Sequence, residues 1–583
     1  MRLSFLCMFD LDANMSVMAR PSHARSSARA LWSRERDGRV SAEVVGRLTT
    51  RQRALLVVLL SAAAIVYAMP IGPRPIWNQD EARVVLLAED TLRHGLRLPA
   101  RVRDAPYLNK PPLFFWSVAL AALPAGRASD RDAPIPSVVA AVATLLGVFA
   151  IGRRLSGIHT GFVALAVLAT APGFFLHSHQ VLPDMMFAAW LTWVLYFLLC
   201  GLGTLPPRRA HLAGFYVCMA GALWTKGLPV LLVIPATVAV FAVTIGVRKL
   251  PSFRPVTGLT LVALTALPWA IPYALTPERA RESSQAISIS QALIWYLDRF
   301  RHLSSVPFAD GLVAFLPWAL WLVPVAVWWR LTPDRQAYRP VLVWMGVFLV
   351  LLGLSVQQRA RYLLPVYPLF ALIVAASVTT AASRARTLVR INAGILIAVL
   401  ATALAVGGWL LLAPQPISGM SLTTFVSTSP GKRAILVGLL IAGPAIALWE
   451  LQVHRSPGRS LSWVAGALAL VLLFEAGTYP GRLASDYPIR AFADQVRGSL
   501  EPSAPLVAYP DANLAFDLYL DHSIAEVPAR DAIASRLQSP AAEGVLLRVA
   551  DWTALRKPAH PSWCSMGSVA LGSRSYVLLG SCR

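Results

Sequence analysis

The ionisable residues that could act on a substrate are few, and their surroundings are distinctive. Asp80 and Glu81 follow the first long apolar run, within Trp77-Asn78-Gln79-Asp80-Glu81-Ala82-Arg83. Lys110 precedes a proline pair in Tyr107-Leu108-Asn109-Lys110-Pro111-Pro112-Leu113-Phe114-Phe115-Trp116. Asp184 follows Pro183, Lys226 precedes Gly227, and Arg359, Arg361 and Tyr362 stand just before Leu363-Leu364-Pro365. A carboxylate can position or deprotonate an acceptor hydroxyl, while lysines and arginines stabilise a departing phosphate. Each residue also has a plainer reading. Asn78 and Glu81 have the spacing of a capping box, and acids suit the first turn of a helix. Lys110 and Lys226 could snorkel to the headgroup level, and Asp184 could be a simple helix N-terminal acid.

The elements that must position these residues are strongly apolar. The chain has 583 residues, of which 56% are hydrophobic and 14% charged, which places it in the membrane class. Its net charge of +23 sits mainly in a leading tail and in short loops, the pattern of cytoplasmic Lys/Arg in membrane proteins. There is no basic patch interleaved with aromatics, which argues against nucleic acid as a partner. Residues 1–52 read as a disordered basic cytoplasmic tail. At ~20 apolar residues per span, about thirteen spans fit between residues 53 and 482. The first, Ala54–Pro70, lacks a cleavage pattern and reads as a retained span. Others fall near 135–152, 160–176, 183–203, 209–225, 227–247, 256–275, 309–329, 340–355, 362–382, 389–412, 433–451 and 460–478. The run 113–124 is too short to cross and ends at Pro124, so it belongs with the first outer loop, residues 71–134. In that loop Val84, Val85, Ala88 and Leu92 give a helix one apolar face, and Gly95 ends it.

This topology can be tested within the sequence. With the N-terminus inside, every inner loop is basic: Arg153–Arg154, Arg208–Arg209, Arg248–Lys249, Arg330/Arg335/Arg339, Arg384/Arg386/Arg390 and Arg455/Arg459. Asp80, Glu81, Lys110, Asp184, Lys226, Arg359 and Arg361 then all fall on the outer side. Ionisable groups at membrane depth are costly and usually line a cavity or pair with one another, so their convergence suggests one site. Residues 483–583 also lie outside and read as a small periplasmic α/β domain, with a helix over Ile489–Leu500 and strands near Leu506–Ala508, Val545–Val549 and Ser575–Leu579. Outside the cytoplasm, Cys564 and Cys582 could form a disulfide.

Together with Pro183-Asp184-Met185, Thr225-Lys226-Gly227 and Arg361-Tyr362-Leu363-Leu364-Pro365, the two early motifs resemble the membrane glycosyltransferases related to protein O-mannosyltransferases. Within that group the resemblance is greatest to the bacterial aminoarabinose transferases that modify lipid A. It runs from residue 54 to 370, and more loosely to the C-terminus. It implies an all-α polytopic GT-C fold in the bacterial inner membrane, with the site facing the periplasm. It also implies an undecaprenyl-phosphate sugar donor, and as acceptor lipid A, another envelope glycan or a protein. By the same resemblance Asp80 acts on the acceptor with Glu81 as helper, Lys110 and Lys226 bind the carrier phosphate, and Asp184 orients the lysines. Arg359 and Arg361, with Tyr362, occupy the stretch where the family often has a lysine; Gln358 stands at the nearest lysine position. The resemblance further implies a divalent metal ion held by a carboxylate just before the Lys-Pro motif and by a histidine in a later outer loop. Here those positions are Asn109 and His302.

A rival reading is a transporter or flippase of a lipid-linked sugar. Such proteins place coupling charges near the midplane and carry internal repeats with broken helices. This sequence has no such repeat, and its charges gather at one face.

Overall fold

The computed structural model describes residues 47–277, 312–331, 333–353, 359–380, 457–498 and most of 505–582, with isolated positions between 387 and 450. Helix α1 (Thr50–Ala68) opens on a capping box in which Thr49 accepts from the Gln52 N–H and the Gln52 side chain accepts from the Thr49 N–H. The loop that follows carries helix α2 (Gln79–His94), a hairpin of β1 (Arg101–Val102) and β2 (Ala105–Pro106), and the short apolar helix α3 (Leu113–Ala122). α2 is amphipathic as its pattern predicts. Ala82, Val85 and Ala88 are buried, and Gly95, at φ +73°, takes the C-cap that an L side chain would strain.

Downstream run α4 (Ile135–Ser156), α5 (Ile158–Ala169), α6 (Pro172–Ser178), α7 (Pro183–Gly203), α8 (Arg209–Lys226), α9 (Val233–Thr244), α10 (Pro255–Ala274), α11 (Leu322–Leu331), α12 (Arg339–Gly353), α13 (Tyr367–Thr379) and α14 (Pro457–Asp486). Among the described residues, six helices are long and apolar enough to cross a bilayer: α1, α4, α7, α10 and residues 361–379 and 460–486. α5 and α6, bent by 70° where Pro172 starts a new helix, make a seventh if they are one span. This is fewer than about thirteen by the ~20-residue rule. α8 is helical as expected, but it has charged residues at both ends. The segment expected over 227–247 divides into a 3-10 turn (Leu228–Leu232) containing Pro229, followed by α9. α12 is only 15 residues long. The expected span near 309–329 is described only in part, and those near 389–412 and 433–451 lie almost wholly outside the described residues.

α4 and α7 pack together at the centre, flanked by α5, α8 and α13, around a core that includes Leu145, Val148, Leu168, Leu195, Leu198 and Leu372. α4, α7 and residues 361–379 are largely covered by protein, whereas α1 and α10 are mostly uncovered, as expected of peripheral helices facing lipid.

α14 continues to Asp486, past the expected boundary at 482. Beyond it come α15 (Ile489–Arg497), β3 (Leu506–Tyr509), α16 (Ala515–Leu520), β4 (Ile524–Glu526), α17 (Arg530–Gln538), β5 (Gly544–Arg548), α18 (Val549–Leu555), β6 (Trp563–Leu571) and β7 (Arg574–Ser581). The strands form one sheet in the order β4-β3-β5-β7-β6, with β3 parallel to β4 and β5, and β7 antiparallel to β5 and β6. A disulfide joins Cys564 to Cys582. The sheet unit shares a core with the first loop: Val85, Ala88, Phe114 and Val118 pack in one cluster with Ile489, Phe492, Phe516 and Leu578.

Candidate active site

A cavity of about 280 Å³ opens where α2, residues 107–111, the start of α7, the end of α8 and the 3-10 turn at 360–366 meet. Its walls carry five cations, Arg83, Lys110, Lys226, Arg359 and Arg361, against two carboxylates, Asp80 and Asp184. That excess of positive charge in a confined space favours an anionic ligand.

Asp80 sits in the first turn of α2, where its backbone N–H donates to the Asn78 side chain at 2.8 Å. The cap, Asn78, and the cavity residue, Asp80, are thus two positions apart and have separate partners. The Asp80 carboxylate accepts from Arg83 at 3.0 Å, Arg359 at 3.1 Å and Arg361 at 2.9 Å. Burial alone would raise its pKa. The hydrogen bond from Arg361 and the charges of Arg361, Arg83 and Arg359 outweigh that and hold it below the usual carboxylate range.

Glu81 does not share this role. Its side chain is 1% exposed and turns away from the cavity, accepting from Arg74 Nη2 at 2.7 Å and from the Val181 N–H at 2.8 Å. Both the helper role and the capping-box reading of Glu81 give way to a buried ion pair. One residue's step along a helix rotates the side chain by about 100°, enough to point Asp80 into the cavity and Glu81 into the protein.

Asp184 opens α7 behind Pro183 and receives Lys226 Nζ at 2.6 Å; Arg361 Nε lies 3.7 Å from its other oxygen. Lys226 is the last residue of α8, and its ammonium lies 4.3 Å from the centre of the Tyr362 ring, a cation–π contact. The next residue, Gly227, takes φ +77°, and a Cβ there would lie 3.5 Å from Pro111. The Thr-Lys-Gly and Lys-Pro-Pro motifs thus touch through a position with left-handed backbone.

Lys110 has no carboxylate at ion-pair distance among the described residues, and its backbone carbonyl accepts from the Tyr273 hydroxyl at 3.0 Å. Burial, followed by the nearby charge of Lys226, lowers its pKa below the ordinary lysine value.

Arg83 and Tyr107 line the cavity without a role read from sequence, and Tyr273, outside the lining, holds the Lys110 carbonyl. Arg83 could have been found from its i,i+3 spacing to Asp80, whereas Tyr273 carried no local signal. Gln180 Oε1 accepts from His177 Nδ1 at 2.6 Å, and His179 is buried against Phe175; neither histidine lines the cavity. His302 lies outside the described residues.

The described donors do not fit a divalent ion. Both cavity carboxylates are engaged by guanidinium or ammonium groups, and Asn109 stands where a carboxylate ligand would be needed. No group of three or more His, Cys, Asp or Glu among the described residues is arranged to hold a metal ion.

Residues 109–271 match the family model described as dolichyl-phosphate-mannose-protein mannosyltransferase. An undecaprenyl phosphate-alpha-4-amino-4-deoxy-L-arabinose arabinosyl transferase of Pectobacterium carotovorum subsp. carotovorum (strain PC1) is 25% identical over 478 residues, covering 76% of this chain and 80% of the relative. The corresponding protein of Enterobacter sp. (strain 638) is 24% identical over 480 residues, covering 77% and 81%. Among solved structures, ArnT from Cupriavidus metallidurans bound to undecaprenyl phosphate superposes with a TM-score of 0.72 at 17% identity, covering 90% of this chain and 98% of that one. In sequence and fold the chain is similar to membrane glycosyltransferases. Within that class, the aminoarabinose transferases are the group that the chain resembles in both sequence and fold.

Proposed function

We propose that this protein transfers a sugar from undecaprenyl phosphate to lipid A or a related envelope acceptor at the periplasmic face of the bacterial inner membrane. The observation that carries this reading is the convergence of Asp80, Lys110, Lys226 and Arg361, from four separate segments, on one cavity with surplus positive charge. The aminoarabinose transferases that it resembles take their sugar from undecaprenyl phosphate by name, and the solved relative holds that lipid.

The chemistry is a direct displacement with inversion. The bond from the anomeric carbon to the phosphate oxygen breaks as the acceptor oxygen bonds to that carbon. The acceptor proton passes to Asp80 or to water, and undecaprenyl phosphate leaves as the dianion. Lys110, Lys226 and Arg361 stabilise the charge that develops on the phosphate. Asp184 fixes Lys226 and Arg361 in place for that task. In the free protein three arginines make Asp80 a weak base. An anion that draws Arg359 and Arg361 toward itself would restore its basicity when the acceptor is in place.

Orientation rests on separate support. The basic loops fit a cytoplasmic N-terminus and the expected count of about thirteen spans. The Cys564–Cys582 disulfide favours an oxidising compartment for the C-terminal unit, which packs on the loop bearing Asp80.

The test uses purified protein in lipid with a radiolabelled undecaprenyl-phosphate sugar. Label should move to lipid A in the native protein and about 10²–10⁴-fold more slowly in Asp80→Asn. Uptake of the lipid-linked sugar across proteoliposomes with no transfer would sink the enzyme reading and favour a transporter. Mass spectrometry of envelope lipids and glycoproteins from a deletion strain would separate lipid A from a glycan or protein acceptor.

A further inference from the structure

One short helix of the C-terminal unit holds both sides of the cavity. α16 and the turn before it reach across to the first loop at two places, and the bonds there are mostly buried or half-buried.

At the first place, Tyr519 accepts from the Ile76 N–H at 2.8 Å while its hydroxyl donates to Asp130 at 2.8 Å. Asn513 donates to the Trp77 carbonyl at 2.9 Å, and the Trp77 ring stacks on Tyr487 at 3.9 Å. Ile76 and Trp77 lead directly into the Asn78 cap and Asp80. The backbone that sets where α2 begins is therefore fixed by residues more than 400 positions away.

At the second place, Arg103 at the tip of the β1–β2 hairpin forms a fork with Asp517: Nε donates to Oδ1 at 2.7 Å and Nη2 to Oδ2 at 2.5 Å. A third bond goes to Glu526 at 2.5 Å. Arg103 and Asp104 both have positive φ, +50° and +62°, so the turn is set by its own geometry as well as by this clamp. The hairpin then feeds Tyr107 and Lys110 into the cavity wall. Glu526 ends the parallel strand β4. The crevice beyond the carboxyl ends of parallel strands is where open α/β sheets usually take a ligand, and here Arg103 of the first loop contacts it.

We infer that Tyr519 and Asp517 are positioning residues, and that α16 braces the Asp80 segment and the Lys110 segment in register for transfer. Neither lines the cavity, so each acts through the backbone it holds. This rests on the reading of Asp80 as the residue that acts on the acceptor.

The experiment compares Tyr519→Phe with the native full-length protein in lipid nanodiscs. The phenyl ring keeps the packing and loses only the hydroxyl that joins Ile76 to Asp130. Hydrogen–deuterium exchange should rise over residues 76–82 and stay unchanged over 185–195. Turnover should fall about ten- to hundredfold, as misplacement of a reacting group does, with donor KM little changed. In an Asp80→Asn background, Tyr519→Phe should add almost nothing to the loss. An equal loss in both backgrounds would make Tyr519 merely structural and overturn the inference, as would unaltered exchange at 76–82. The exchange measurement does not depend on activity, so it still decides the brace if transfer from a lipid-phosphate sugar fails. Arg103→Lys, which keeps a charge near Asp517, should recover part of the turnover lost in Arg103→Ala.

Discussion

Arg361 donates to Asp80 at 2.9 Å and lies 3.7 Å from Asp184, so a single guanidinium joins carboxylates from α2 and α7. A lysine carries the same charge but presents a point donor on a flexible stem and cannot address both partners as a fork does. Arg361→Lys is expected to lower kcat/KM by about ten- to hundredfold, the worth of one to two hydrogen bonds to charged groups. The melting temperature should move little, because Arg83, Arg359 and Lys226 still compensate the two acids. Kinetics indistinguishable from native would show that the bridge has no part in transfer.

Asp80 and Glu81 are neighbours in sequence with opposite fates, and paired substitutions should separate them. Asp80→Asn keeps the Asn78 cap and the shape of the side chain, so stability should hold while kcat falls by about 10²–10⁴-fold, the usual contribution of a positioned acid or base. Glu81→Gln leaves the Arg74 cation buried without its counter-charge. Breaking such a pair costs about 3–5 kcal/mol, which should appear as a clear fall in melting temperature with near-native turnover per folded molecule. Thermal denaturation alongside steady-state kinetics on both variants checks this. A stable but inactive Glu81→Gln would return Glu81 to the chemistry.

Much of the site was legible before the structure, for a physical reason. Charged groups beside long apolar runs are expensive, so Asp80, Lys110, Asp184, Lys226 and Arg361 stand out, and a topology with basic inner loops sorts them to one face. The amphipathic pattern of α2 and its stop at Gly95 were equally local. What stayed hidden was pairing at a distance. Nothing near Glu81 announces that Arg74 and the Val181 N–H will take its carboxylate, and nothing near Arg103 points to Asp517. The shape of the apolar runs shows a related limit: a length rule does not see that Pro172 bends one run by 70° or that Pro229 divides another between two helix types.

Lys110 gives a pH dependence with a definite sign. Burial and the charge of Lys226 disfavour its ammonium, so its pKa in the free protein lies below the ordinary 10.5. Donor binding that needs the cation is complete below that lowered pKa and is lost as pH rises through it. The alkaline limb of kcat/KM, which reports the free protein, should therefore begin earlier than an ordinary lysine allows. A bound phosphate restores a partner, so the limb in kcat should lie higher. Lys110→Arg, whose charge persists at any accessible pH, should abolish the alkaline limb in kcat/KM. A pH profile unchanged by that substitution would remove Lys110 from phosphate binding.

Cys564 and Cys582 close a loop with a separation of 18 residues across the β6–β7 hairpin, at the edge of the sheet that carries α16. A loop of this length is worth about 3 kcal/mol in the chain-entropy view. Cys564→Ser should therefore loosen the C-terminal unit, measured as faster proteolysis within residues 505–582, while α7 and α8 stay protected. The same bond reports on sidedness. In intact cells with a permeable outer membrane, an impermeant thiol reagent should label these two cysteines only after reduction. Cys200 and Cys218, buried among apolar helices, should stay unlabelled in both conditions. Labelling of Cys564 and Cys582 without reduction would mean that the pair is not bonded in the cell. Failure to label after reduction in intact cells, with labelling restored by inner-membrane permeabilisation, would place the C-terminal unit in the cytoplasm and with it the cavity face.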